Sequence, residues 1–295
     1  MPVLPDIPAL TPLPPGLAGD AAYALFCRPD LSDMRPLNHD TLVRRARRQL
    51  RGQQPEFIAS SVGPIATFTL APRGPARSAI LIVHGWTSEA SFMTAIAEPL
   101  RQHGHRVVLL DMPAHGHSPQ RAASLIDCAR GVQAVANALG PFDSLIAHSI
   151  GALAGLLAAE GKPPIGPATS FRLTALVAPP NTMTRITGDF SRRCALAPDQ
   201  QRAFEHRVAR VGERDIHAIT AAKIVRDTGM ETLIVHSRDD PIIPVDDAIA
   251  IAQGVPRGQL ALVDDLGHAR ILYAPPVVRT IRSFFDRQAY PSQLD

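Results

Sequence analysis

From Phe57 onward the chain divides into short, uniformly apolar runs separated by longer stretches in which apolar residues recur at helical spacing. Residues 57–61 and 66–71, joined around Gly63-Pro64, read as an antiparallel hairpin. Residues 79–83, 106–111, 144–147, 173–177, 232–236 and 261–263 follow, each compact and each set off by a helix-length interval. A strand covered by helices on both faces has no solvent side, so its residues are apolar without alternation. The pattern predicts an α/β chain with an eight-stranded, mostly parallel sheet and helices on both faces.

The interval from Ala178 to Met230 is too long for a single crossover. Within it, residues 199–211 set Phe204, Val208 and Val211 on one helical face and charges on the other. This predicts a small helical cap over the strand ends, spanning 181–230, with Phe190 and Phe204 expected in the substrate pocket. Ahead of the sheet, Pro2, Pro5, Pro8, Pro12, Pro14 and Pro15 predict an extended arm over residues 1–20. Residues 38–51, with Asp40 as cap and Val43, Ala46 and Leu50 at helical spacing, predict a helix whose five arginines form a solvated face. The expected division is 1–55 for arm and helix, 56–180 with 231–295 for the core, and 181–230 for the cap.

Composition narrows the function classes. With 45% hydrophobic and 19% charged residues, the 295-residue chain has ample material for one core and too little charge to remain unfolded. A net charge of +3, one Trp and three Tyr supply neither the field nor the stacking surface of a nucleic-acid binder. No apolar run approaches the ~20 residues of a membrane span. Cys27, Cys128 and Cys194 are odd in number and far apart, a poor basis for a disulfide framework or a zinc site. The first 20 residues lack the basic and apolar regions of an export signal. A cytoplasmic monomer or homodimer acting on a small molecule, without cofactor or metal, is the expectation.

Candidate chemistry gathers at the strand ends, where open α/β sheets bind ligands. Ala147-His148-Ser149-Ile150-Gly151 lies between a strand and a small-residue helix, the context of a nucleophile elbow with Ser149 on a strained backbone. His148 is expected to line the pocket or pack behind it. His84-Gly85-Trp86 follows the first parallel strand and can offer the Trp86 N–H beside that of Ile150 to an oxyanion, with His84 holding the loop and Trp86 walling the pocket. Asp111, His115 and His117 bring metal spacing to mind, but no further histidine completes a ligand set, and the segment reads as a supporting turn. His236-Ser237-Arg238-Asp239-Asp240-Pro241 and Leu266-Gly267-His268 close two later strands. A serine needs an imidazole to take its proton and the imidazole needs a carboxylate to fix its tautomer; the chain supplies serine, acid and histidine in that order, with Asp239 and Asp240 both available as the acid.

The array HGW, DMPAHGHS, AHSIG, HSRDDPIIP and LGH resembles the α/β-hydrolase superfamily over residues 57–285. The resemblance implies Ser149 as nucleophile, His268 as base, Asp240 as acid, and Trp86 and Ile150 as oxyanion donors. Ala147, Ala114 and Ser237 stand where glycine is commoner. It implies a serine hydrolase of carboxylic esters acting through an acyl-enzyme. Thioesters, lactones, amides and C–C bonds are open to the same groups, and a ligand-binding member without turnover is the reading from another class.

Overall fold

The computed structural model describes residue 10 and residues 12–29 and 46–289. Eight strands form one sheet: β1 (Glu56–Ile58), β2 (Ile65–Leu70), β3 (Ala79–Val83), β4 (Arg106–Leu110), β5 (Ser144–His148), β6 (Leu173–Val177), β7 (Glu231–Ser237) and β8 (Gly258–Val263). Their spatial order is β1-β2-β4-β3-β5-β6-β7-β8. β1 pairs with β2, and β2 with β4, antiparallel, while every pairing from β4 to β8 is parallel. The eight-stranded, mostly parallel sheet expected from the sequence is present, and its central strands are buried on both faces.

Helices cover the two faces. Ile80 and Ile82 of β3 point to one side, where they join Ile96 and Leu100 of α2 (Thr94–Gln102, numbered after the N-terminal helix described below) in one core. Leu81 and Val83 point to the other, against Val132 of α3 (Leu125–Leu139) and Leu153 of α4 (Ile150–Glu160). The chain leaves β3 for β4 on one side and then crosses to β5 on the other. Connections therefore diverge at the carboxyl end of β3, which opens a crevice there.

Between β6 and β7 lie α5 (Met183–Arg193), α6 (Pro198–Gly212), a 3₁₀ turn at Ile216–Ala218 and α7 (Ala221–Thr228). The excursion is pinched at its base: Thr182 bridges Thr220, the Met183 N–H donates to the Ile219 carbonyl at 3.2 Å and the Ala221 N–H to the Asn181 carbonyl at 2.7 Å. Beyond the pinch, Ile224 and Val225 of α7 join the same core as α3 and α4. The pinch encloses residues 183–219, which lie within the expected 181–230. Among the described residues no helix is long and apolar enough to cross a membrane.

The N-terminal segment departs from expectation. Residues 1–9 and 11 of the expected arm, and 38–45 of the expected arginine-rich helix, lie outside the described residues; 46–50 are helical. Residues 15–20, however, are not extended but open a helix, α1 (Pro15–Phe26). Proline is tolerated at the first helical position because its missing N–H has no intrahelical partner there. α1 packs along α6, and Leu10, Ala22, Phe190, Cys194 and Phe204 form a small core of their own. Phe26 meets the rings of Phe190 and Phe204 edge-on at 5.0 and 5.3 Å. The Gln200 amide donates to the carbonyls of Leu10 and Leu13 at 3.1 and 2.9 Å. The expected arm and the expected cap are therefore one unit built from two distant parts of the sequence.

The crossing of α1 and α6 rests on Gly19. A Cβ there would lie 2.7 Å from the Ala203 carbonyl carbon and 2.8 Å from the Phe204 nitrogen, both backbone atoms. Alanine raises helix propensity by about 1 kcal/mol over glycine, so the sign of a substitution separates propensity from packing. Gly19→Ala is expected to lower the melting temperature and to speed the reaction of the buried Cys27 and Cys194 thiols with a disulfide reagent; a gain in stability would show that the helices do not cross so closely.

Candidate active site

Ser149 sits between β5 and α4 with φ 53° and ψ −131°, a region unfavourable for a residue bearing a Cβ. Three features hold it there. Its N–H donates to the Val177 carbonyl of β6 at 2.9 Å. Gly151 lies so close to the loop after β3 that a Cβ would fall 2.1 Å from the His84 carbonyl oxygen. Gly85 presses on the elbow from above, where a Cβ would meet the Ser149 Cβ at 3.1 Å and His148 Nδ1 at 2.7 Å. Two glycines therefore bring the His84–Trp86 loop onto the serine. The Ile150 N–H belongs to the first turn of α4, whose N–H groups lack intrahelical acceptors and carry the positive end of the helix dipole.

β7 and β8, joined through α8 (Val245–Gln253), carry the remaining groups on the turns that follow them. His268, in the short helix α9 (Gly267–Arg270), places Nε2 2.9 Å from Ser149 Oγ and Nδ1 2.7 Å from Asp240 Oδ2. The other Asp240 oxygen accepts the Ile242 and Ile243 N–H groups at 2.8 and 2.9 Å. Burial works to raise this carboxyl, but the His268 hydrogen bond and charge, aided by the backbone donors, hold it below the usual carboxylate range. Asp240 is thus an ionised acceptor, so Nδ1 of His268 carries the proton and Nε2 presents a lone pair to the Ser149 hydroxyl. His236 supports the turn by donating Nε2–H to the Ile243 carbonyl at 2.9 Å. Asp239 reaches neither His268 nor Ser149; it accepts from Ser237 and from the Gly267 N–H.

The other sequence-predicted residues divide. Trp86 is half-buried, its indole edge-on to the His115 ring with centroids 4.8 Å apart. His148 does not line a pocket: it is 5% exposed and donates Nε2–H to the His268 carbonyl at 3.0 Å. It belongs behind the serine, because successive side chains leaving a strand point to opposite sides. Phe190 and Phe204 also fail as pocket residues, since their rings are spent on the small core with α1. An apolar recess beside the insertion is lined by Phe26, Leu125, Ile126, Met183, Val208 and Ile216.

The loops around the serine are tied by buried polar groups. His84 accepts the Met112 N–H on Nε2 at 2.9 Å and donates Nδ1–H to the Gly85 carbonyl at 2.7 Å. His115 accepts the Thr87 N–H at 3.2 Å and donates to the Pro113 carbonyl at 2.9 Å. Each imidazole therefore bridges two backbone segments as a neutral ring. Asp111 accepts the N–H groups of Ala90 and His117 at 2.7 and 2.8 Å, and burial pushes its carboxyl up despite them. Among the described residues no group of three or more His, Cys, Asp or Glu is placed to hold a metal ion.

Burial lowers His84 to about 4, and both His115 and His148 to about 3. An unfolded histidine titrates near 6.5, so as pH falls below that value the unfolded chain binds protons that the folded chain refuses. Stability is complete above about pH 6.5 and is lost toward pH 4, at about 1.4 kcal/mol per pH unit for each histidine. Asp111, raised by burial, acts with the opposite sign but is one group against three. Denaturant melts at pH 7.5, 6, 5 and 4.5 should show this loss; a stability unchanged from pH 7.5 to 4.5 would mean that the rings are hydrated.

The family model described as alpha/beta hydrolase family matches residues 80–280, from β3 through the His268 turn into the last helix. Among solved structures, Est1E from Butyrivibrio proteoclasticus with ferulic acid bound aligns with a TM-score of 0.62 at 18% identity, over 79% of this chain and 98% of that one. A thermophilic esterase from Thermogutta terrifontis with malate bound aligns with 0.56 at 17% identity, over 80% and 100%. Est816, described as an N-acyl homoserine lactone degrading enzyme, aligns with 0.59 at 17% identity, over 78% and 100%. No protein of curated function matches the sequence. At such identities the structures speak for the fold alone, and the family match carries the assignment: this chain belongs to the alpha/beta hydrolase family.

Proposed function

We propose that the chain is a serine hydrolase of carboxylic esters. The observation that carries this reading is the continuous line from Ser149 Oγ to His268 Nε2, 2.9 Å, and from His268 Nδ1 to Asp240 Oδ2, 2.7 Å. As Ser149 attacks the ester carbonyl, its proton passes to Nε2. The imidazolium so formed is stabilised by the ionised Asp240. The carbonyl oxygen, now an anion, is stabilised in this reading by the Trp86 and Ile150 N–H groups, one from each of the two loops at the serine. His268 then returns its proton to the departing alcohol. Water enters along the same path, loses a proton to His268 and releases the acid from Ser149. Family membership and the esterases among the structural neighbours support a hydrolase of this kind.

A fluorophosphonate probe on the unaltered protein, together with chromogenic esters of graded acyl length, tests the reading. Ser149→Ala is expected to abolish labelling and to lower kcat by on the order of 10⁴-fold or more while the fold persists. Turnover close to that of the unaltered protein would remove Ser149 from the role of nucleophile. Asp240→Asn should cost on the order of 10³- to 10⁴-fold, because the amide imposes the wrong tautomer on His268. Asp239→Asn should be nearly silent, since asparagine retains the Oδ1 acceptor; the opposite ranking would move the acid by one residue.

A further inference from the structure

Ser237 is a fully buried serine at the end of β7. Its hydroxyl accepts the N–H groups of Leu266 and Gly267, each at 3.2 Å, and donates to Asp239 Oδ1. Asp239 Oδ1 in turn accepts the same Gly267 N–H at 3.3 Å. Two side chains from the β7 turn thus grip the backbone immediately ahead of His268.

The gripped segment needs an external hold. Asp265 and Gly267 have φ of 59° and 57°, so two left-handed residues flank Leu266. Aspartate enters that region more readily than most residues with a Cβ, but less readily than glycine. The helix that follows, α9, is four residues long and too short to organise itself. From the far side, the Arg270 guanidinium donates to the Asp265 carbonyl at 2.8 Å, and His148 donates to the carbonyl of His268. Asp240 fixes the rotation of the His268 ring but not the position of the backbone that carries it. That position is set by the β7 turn.

We propose that Ser237 and Asp239 are one positioning unit, which holds the Leu266–Gly267 backbone so that His268 Nε2 meets Ser149 Oγ. The proposal rests on the reading of His268 as the base of an ester hydrolase. Neither residue touches substrate. Ser237 supplies an oxygen where glycine would leave the Leu266 N–H without this acceptor and the Gly267 N–H with Asp239 alone, and Asp239 orients that oxygen by accepting its proton. Without the unit, α9 is free to withdraw, and a displacement on the order of 1 Å at a reacting group costs about a hundredfold in rate.

The test compares Ser237→Ala, Asp239→Ala, Asp239→Asn and the double alanine variant of the full chain. Turnover of p-nitrophenyl acetate, melting temperature and hydrogen exchange of the Leu266 and Gly267 amides are read for each. Each alanine variant is expected to lose about ten- to a hundredfold in kcat with KM changed by less than about twofold. Because the two side chains act as one, the double variant should be no worse than the poorer single variant. Asp239→Asn, which keeps the acceptor, should restore both rate and amide protection. The 266 and 267 amides should exchange at least about tenfold faster in the alanine variants. Full kcat in both alanine variants, losses that multiply in the double variant, or an Asp239→Asn variant as poor as Asp239→Ala would each overturn the proposal. Should Ser237→Ala fail to fold, the surface variant Asp239→Ala decides by the same criteria. Should the unaltered protein hydrolyse no ester, the proposed function fails, and unchanged protection of the two amides in the alanine variants would independently overturn the positioning unit.

Discussion

The hydrogen bond between His268 Nε2 and Ser149 Oγ, 2.9 Å, joins the ends of β8 and β5, with β6 and β7 between them. At a strand spacing of about 4.8 Å, that reach amounts to about 14 Å across the sheet. The edge strand must therefore send its terminal loop back over its neighbours, and much of the local architecture serves this demand. The left-handed residues Asp265 and Gly267 turn the chain inward, β7 supplies the grip and the carboxylate, and β5 supplies His148 to receive the carbonyl of the arriving histidine. The serine, for its part, stays on a costly backbone because β6 and two close glycines leave it no alternative.

A second theme is the use of neutral imidazoles as cross-links. His84 and His115 each accept one backbone N–H and donate to one backbone carbonyl, so they saturate the polar groups of loops that are buried yet irregular. Such groups would otherwise cost about 1–3 kcal/mol each when left unpaired. The ring suits this because one nitrogen donates while the other accepts, provided that it stays uncharged; burial enforces that condition. In the segment that in sequence has the spacing of a metal site, His115 is thus engaged by backbone groups, and Asp111 by two backbone N–H groups and the His117 ring.

The sheet was legible because its central strands are apolar on every residue, a pattern that only two-sided burial requires. That Ser149, His268 and an aspartate of the Asp239-Asp240 pair would meet at the strand ends was legible because each follows a strand; which aspartate faces the histidine depends on the turn, and the structure brings Asp240 to it. What escaped depends on contacts between distant residues. The hydroxyl of Ser237 has partners 29 and 30 positions away, which no local pattern marks. Phe190 and Phe204 announce an apolar face without naming what covers it, and the cover is a helix near the start of the chain. That helix was hidden by its own prolines: Pro14 and Pro15 argue for extended chain until one sees that the run stops at the first position where proline is harmless. His148 next to a reactive serine invites a pocket role, and only the arrival of the β8 loop reveals what its nitrogen is for.

The packing of α1 against α6 joins residues 15–26 to residues 198–212, the most distant pairing between helices described above. During synthesis at about 5–20 residues per second, α1 emerges roughly ten to forty seconds before its partner exists. Its sequence, PGLAGDAAYALF, is almost wholly apolar, and Leu17 stays exposed even in the finished fold. The sheet can begin to assemble from β1 onward in that interval, whereas the small core of Phe26, Phe190 and Phe204 cannot. Its closure must wait until α6 has been made, and until then the apolar face of α1 has no partner.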